Sequence, residues 1–271
     1  MERHSNTNRP PRFNNGPNGC PFTSFYQLML AAMFALELDV EIPARDYPCR
    51  LLGDWREEEG LPRGEFGNAI PWVTKLLTNM PDVLSATFAD FLGGLKRHFW
   101  RRREGTRETT PLRRGDFYLD RQSFRPFLQL EGGGTLQENL QKKLDGSIGS
   151  LTVEGNVFEE VPKVLMAELS SSEVLLSSTE RRELGMVGVS RDWQPEAMHL
   201  NVQVRGQVVG IRAKMVGFCC DWDGHYTAVV RYGSEWWYTD CLSPDGHRVL
   251  DDDEVVRLYK EQGHYVVFVC E

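Results

Sequence analysis

From about residue 146 onward the chain breaks into short segments rich in β-branched and aromatic residues, each closed off by Gly, Asp or Ser, and this texture commits that half to a sheet. The expected strands are Ser150 to Val153, Val161 to Leu169, His199 to Val204, Gln207 to Phe218, Tyr226 to Tyr232, Trp236 to Thr239 and Tyr265 to Cys270. One short helix interrupts them, from about Asp252 to Gln262, with Asp251 as cap, acidic residues in its first turn and Gly263 just past its end. The first half reads differently. From Pro21 to about Leu38, large apolar residues recur at every third or fourth position (Phe22, Phe25, Tyr26, Met29, Met33, Leu36), which predicts a buried helix. Pro21 suits its first turn, where a missing N–H costs nothing, and Cys20 then falls at the N-cap. Further helices are expected around 66 to 79, 81 to 99 and 135 to 144, with helical or loop character up to residue 145.

The 271 residues, 41% of them hydrophobic, suffice to bury a sizeable core. The expected organisation is a flexible leader over 1–11, rich in Asn, Pro and Arg, and one domain over 12–271, built from a mainly helical lobe (12–145) and a mainly β lobe (146–271). No apolar run approaches the roughly eighteen residues a membrane span needs, and the first twenty residues lack the pattern of a secretory signal. The six cysteines are not spaced as a disulfide scaffold, so a cytoplasmic or nuclear setting is expected. A net charge of −8 argues against a general nucleic-acid binder and suits a cleft that attracts a basic peptide. Against that trend, Lys96 to Arg114 is strongly basic; it reads as a solvated loop or helix end, with a nuclear-import signal or an acidic-partner patch as alternatives. Gly132 to Gly134 lacks the Lys and Ser/Thr of a phosphate-cradling loop and reads as a linker.

Cysteine attacks as its thiolate, and the unpaired N–H groups and partial positive charge of a helix N-terminus favour that form, so Cys20 is a candidate nucleophile. A general base is found in the segment His225 to Asp240. Two strands there flank a tight turn at Tyr232 to Ser234; a Tyr232-Gly233 loop would pair Arg231 with Ser234 and set His225 opposite Asp240, while a shifted loop would make the contact diagonal. In either case the carboxylate can orient one imidazole nitrogen and leave the other to take a proton from a thiol. Asn15 and Asn18, in the loop before Cys20, could add a side-chain donor to the helix-end N–H groups of an oxyanion site, although each is also explained as a turn residue. His98, His199, His247 and His264 lack such company and read as structural or exposed. Adjacent Cys219 and Cys220 suit tetrahedral zinc poorly, and neither a metal nor another cofactor is expected.

Asn15-Gly-Pro-Asn18-Gly-Cys20-Pro-Phe-Thr-Ser24-Phe-Tyr-Gln27 resembles the cysteine box of the ubiquitin-specific proteases, a papain-like family. Gly224-His225-Tyr226-Thr227-Ala228, followed by Trp236 and Asp240, resembles that family's histidine box and third catalytic residue, and Tyr265-Val-Val-Phe268 its terminal strand. Thr135-Leu-Gln-Glu-Asn-Leu140 and Val161-Pro-Lys-Val-Leu165 are similar to the segments leading into and out of the fingers, whereas Gly67 to Trp72 is only loosely similar to an internal helix. The resemblance implies an α+β papain-like fold, with a helical thumb, an antiparallel β palm and shortened fingers. It also implies Cys20 as nucleophile, His225 as base and then acid, Asp240 as orienter, Asn15 as oxyanion donor with Asn18 secondary, and Gly224, Tyr226 and Trp236 against substrate. The partner it implies is ubiquitin or a ubiquitin-like protein, met by a monomer with no nucleic acid or membrane involved. Departures are the short, cysteine-free interval from Leu144 to Phe158 where the family commonly binds zinc, and Pro21 and Cys241 in place of an aromatic and a second Asp. Two other readings stand beside this one: a viral-type papain-like polyprotein protease with deubiquitinating activity, and a catalytically silent ubiquitin-binding module.

Overall fold

The computed structural model describes residues 9–14, 19–37, 44–58, 97–103, 106–111, 128–130, 134–145, 155–158, 161–169, 193, 197–204, 207–222, 225–243 and 246–271. Its elements run α1 (Cys20–Ala35), α2 (Tyr47–Glu58), β1 (Arg97–Arg103), β2 (Thr106–Pro111), β3 (Leu128–Gln129), α3 (Leu136–Asp145), β4 (Gly155–Phe158), β5 (Val164–Glu168), β6 (Met198–Val204), β7 (Gln207–Trp222), β8 (His225–Tyr232), β9 (Glu235–Thr239), β10 (His247–Leu250), α4 (Asp252–Gln262) and β11 (Gly263–Cys270). The strands form one branched sheet in the order β10-β9-β8-β7-β6-β4-β1-β2, with β11 joining β7 to β5 and β5 carrying β3. At sixteen residues β7 is long enough to pair its first half with β6, its second half with β8 and its middle with β11.

Side chains alternate across this sheet and so build two cores. Ala228, Val230, Trp237 and Val267 point to the side of α1 and α2, and Val229, Trp236, Val266 and Phe268 to the side of α3 and α4. Buried residues surround α1 on all sides, including Thr23, Ser24 and Gln27, as expected of a helix enclosed between a sheet and a second helix. It approaches β7 closely at Gly217, where a Cβ would lie 2.6 Å from Leu28 and 2.8 Å from the Val229 carbonyl.

Local capping agrees with this packing. Thr135 and Glu138 form a reciprocal box at the head of α3, with bonds of 3.2 and 2.9 Å. Asp251 accepts the Glu254 N–H at 2.8 Å at the head of α4, which begins and ends where the sequence places it.

Several expectations need correction. Residues 97–99, the tail of the helix expected over 81–99, belong to β1, and the basic stretch expected as loop or helix end contains the antiparallel pair β1–β2. Pairing of β1 with both β2 and β4 satisfies its backbone on two sides, a tertiary gain that local propensity does not register. The helix α2 was not anticipated, although Leu51, Leu52 and Trp55 carry a helical period. Nor is all of 1–11 a free leader. Arg9 lies over the Trp237 ring, Pro10 is buried and the Pro11 carbonyl is bonded from two elements. The expected helix over 66–79, the expected strand Ser150 to Val153 and the stretch Gly67 to Trp72 lie outside the described residues.

The Gly217 approach gives a stability prediction. Gly217→Ala forces Leu28 or the sheet to shift and is expected to lower unfolding free energy by about 1–3 kcal/mol, read from urea denaturation with an unchanged m-value.

Candidate active site

Cys20 is the first residue inside α1: Gly19 is the N-cap and Pro21 follows in the first turn, one position along from the sequence expectation. The residue is 6% exposed. One turn later Ser24 Oγ donates to the Tyr226 carbonyl at 3.0 Å. The Tyr226 backbone N–H, in the peptide that joins it to His225, favours the thiolate of Cys20. Two α1 side chains at i and i+4 thus face the backbone of one β8 residue, Ser24 by a hydrogen bond to its carbonyl and Cys20 on the side of the peptide of His225.

His225 Nε2 lies 3.0 Å from Asp240 Oδ1. A carboxylate only accepts, so Nε2 carries the hydrogen and the lone pair resides on Nδ1. The β8–β9 turn is Gly233-Ser234, with Tyr232 paired to Glu235 and Gly233 at φ 61°. The register is therefore shifted from the Tyr232-Gly233 loop that would set His225 opposite Asp240, and the carboxylate reaches the ring diagonally from beyond the last β8–β9 pair, Ala228–Thr239.

What aims Asp240 is the loop after β9. Its Oδ1 also accepts the Leu242 N–H at 2.8 Å, and its own N–H donates to the Gly246 carbonyl at 2.7 Å. A Cβ on Gly246 would collide with the Asp240 carbonyl, so the loop closes only with glycine there. The preceding segment is tied to the same end of the fold, since the Pro11 carbonyl accepts from Gln27 Nε2 at 2.6 Å and from His247 Nε2 at 3.1 Å. His247 is accordingly structural.

The electrostatics oppose a resting thiolate. Burial pushes the Cys20 thiol up, the backbone N–H groups of Tyr226 and Cys20 pull it down, and the Asp240 and Asp221 carboxylates push it up again. The helix-end effect expected from sequence is present but outweighed by desolvation.

Trp236 requires a correction. It is 6% exposed, and its ring packs 5.5 Å from Trp193 and 6.4 Å from Phe218 in the core beneath α4, so it is not available to substrate. Its inward face follows from strand alternation, which sends neighbouring Trp237 to the α1 side. Tyr226 is half-buried beside His225. Asn15, Asn18 and Gly224 lie outside the described residues. Among the described residues no group of three or more His, Cys, Asp or Glu side chains could hold a metal, and no helix is long and apolar enough to cross a membrane.

Neither a protein-family model nor a curated protein sequence matches the chain. Solved structures do. The yeast SAGA deubiquitinating module, Ubp8-Sgf11-Sgf73-Sus1, aligns over 97% of this chain and 68% of the matched one, with a TM-score of 0.55 at 14% identity. The Saccharomyces cerevisiae Pan2 pseudoubiquitin hydrolase-RNA exonuclease module, solved with AAUUAA RNA, aligns over 95% of this chain and 48% of its own, with a TM-score of 0.51 at 9% identity. The fold is thus ubiquitin-protease-like, a mixed helix and antiparallel-sheet architecture that active and pseudo-enzyme domains share.

Burial of His247 gives a pH prediction. Desolvation holds its folded pKa below the ordinary value of about 6.5, so the unfolded chain takes up the proton first and stability falls as pH drops through that value toward the folded pKa. Melting temperature is expected to decline with acidification below neutrality, and His247→Gln, which retains a donor for Pro11, is expected to flatten this part of the profile.

Proposed function

We propose that this chain is a thiol hydrolase that cleaves peptide or isopeptide bonds at the C-terminus of ubiquitin or a ubiquitin-like modifier. The observation that carries the reading is an imidazole, oriented by a carboxylate at 3.0 Å, whose strand meets a cysteine at the head of a buried helix. The fold supports it, as does the resemblance of the segments around Cys20 and His225 to the ubiquitin-specific proteases.

In this mechanism Cys20 starts as a thiol, which its burial favours. His225 Nδ1 takes the proton as sulfur attacks the carbonyl carbon, and Asp240 stabilises the imidazolium through the Nε2–H bond. The developing oxyanion takes N–H donors at the head of α1, with Asn15 as a further donor. Collapse of the tetrahedral adduct breaks the C–N bond, and the proton on His225 passes to the departing amine. Water, deprotonated by His225, then hydrolyses the thioester and restores the thiol. Tyr226, beside His225, and Gly224, which precedes His225 in sequence, are the residues this reading sets against the modifier's tail.

A second reading, a silent ubiquitin-binding module, has its own support: the fold is shared with the pseudoubiquitin hydrolase of Pan2, and the Cys20 thiol is buried and pushed up.

One experiment separates the two. The purified chain is offered a panel of modifiers, each carrying a C-terminal thiol trap. An adduct on Cys20 that Cys20→Ala abolishes is expected. Binding of a modifier without an adduct would select the silent module, and neither binding nor adduct across the panel would sink both.

For the active enzyme, Asp240→Asn is expected to leave the melting temperature within a few degrees and to lower kcat by about 10⁴-fold, the scale known when the orienting carboxylate of a serine-protease triad becomes an amide. Unimpaired turnover in this variant would mean that another group orients His225.

A further inference from the structure

A second histidine, stacked on Tyr226, has no part in the chemistry above. β11 pairs with β7 with two register irregularities, one between Val267 and Phe268 and one that separates Val266 from the Gly263–Cys220 pair, and the residues between this last pair and Val266 leave strict alternation. Such a bulge re-aims side chains, and here His264 is turned toward the end of the sheet that carries Tyr226. Its ring stacks on Tyr265 at 4.1 Å and 13° and on Tyr226 at 6.0 Å and 29°. Its Nε2 lies 3.5 Å from Glu168 on β5, which is 1% exposed, and its Nδ1 lies 3.7 Å from Asp221 on β7. Asp221 is in turn the register partner of Tyr226 across the β7–β8 ladder. A carboxylate as buried as Glu168 needs partners to remain inside a protein, which ties the position of the ring to the core of the sheet. The titratable groups the structure places around this imidazole, among the described residues, are Glu168 from β5, Asp221 and Cys220 from β7, Tyr226 from β8 and Tyr265 from its own strand, with Cys20 beyond Tyr226.

We propose that His264 is a positioning residue for the nucleophile: flanked by Glu168 and Asp221 and stacked against Tyr226, it holds the Tyr226 peptide where that peptide meets the Cys20 thiol. The proposal rests on the reading of Cys20 as the nucleophile, and it requires no particular modifier. The Tyr226 carbonyl is already tied to Ser24 at 3.0 Å; the ring stack restrains the same residue from its side-chain end, so the backbone N–H cannot swing away from sulfur. That N–H is one of the few influences favouring the thiolate in a site where burial and two carboxylates oppose it. Slackening Tyr226 therefore makes the thiol harder to ionise.

The test is alkylation of Cys20 by iodoacetamide, followed by peptide mass spectrometry across pH on the full chain. His264→Gln removes the ring but retains donors for the carboxylates. It is expected to raise the Cys20 midpoint by about half a pH unit or more, roughly a threefold loss of thiolate at neutral pH, with near-UV circular dichroism preserved. Glu168→Gln combined with His264→Phe returns an aromatic ring without stranding the buried Glu168 charge, and is expected to bring the midpoint back to the wild-type value. A His264→Gln midpoint equal to wild type would overturn the proposal, as would equal shifts in both variants or a shift accompanied by collapse of the near-UV spectrum. Because alkylation needs no modifier, a chain that forms no adduct with any modifier yet shows these midpoints keeps this inference and loses the modifier-hydrolase reading.

Discussion

The structure turns on the contact between the head of α1 and the first residues of β8. Cys20 and Ser24, one helical turn apart, meet the two sides of the Tyr226 backbone, and that junction exists only because α1 can sink against β7 at Gly217. The same helix extends Gln27 to the Pro11 carbonyl, which also receives His247 from β10, so the segment before α1 and the edge of the sheet are tied through one acceptor. A buried polar group left without a partner costs a few kcal/mol, about as much as a large core truncation. The bonded polar groups of α1, Ser24 Oγ and Gln27 Nε2, therefore fix the orientation of the helix, while its apolar side chains supply the driving force for burial.

Around that junction the carboxylates have different tasks. Asp240 is held by the Leu242 N–H and by a loop that only Gly246 allows to close, so its oxygen arrives at His225 already aimed. Asp221 and Glu168 flank His264 instead. Negative charge so close to a thiol works against its ionisation, and it also draws in positively charged groups. Burial and the two carboxylates together keep this cysteine a thiol at rest.

Much of the β half was legible because its signals are local. Asp251, the acidic first turn and Gly263 delimit α4, and the strands from β6 to β9 and β11 follow β-branched runs between turn residues. The pairing of His225 with Asp240 could be anticipated from spacing alone, but the choice between an opposed and a diagonal contact could not, because a one-residue slide of the turn to Gly233-Ser234 changes every opposed pair in the ribbon. Trp236 shows the same limit. It stands in a motif-like segment, yet alternation buries it beneath α4. The strand character of β1 and β2 was hidden because it is set by distant partners, and the role of His264 was hidden because a bulge, which carries no fixed sequence signature, re-aims it.

By itself the sequence determined the periodic elements, the helix that carries Cys20 at its start, and the types of side chain available for acyl transfer, since these depend on neighbours within a few residues. Only the tertiary structure decided that the thiol is buried rather than exposed, that it meets the peptide of His225, and that Asp240 reaches the ring from the diagonal. The reason is physical. Burial, electrostatic field and hydrogen-bond geometry are set by groups more than two hundred residues apart along the chain, as Ser24 and Tyr226 are, and no local propensity encodes the distance between them.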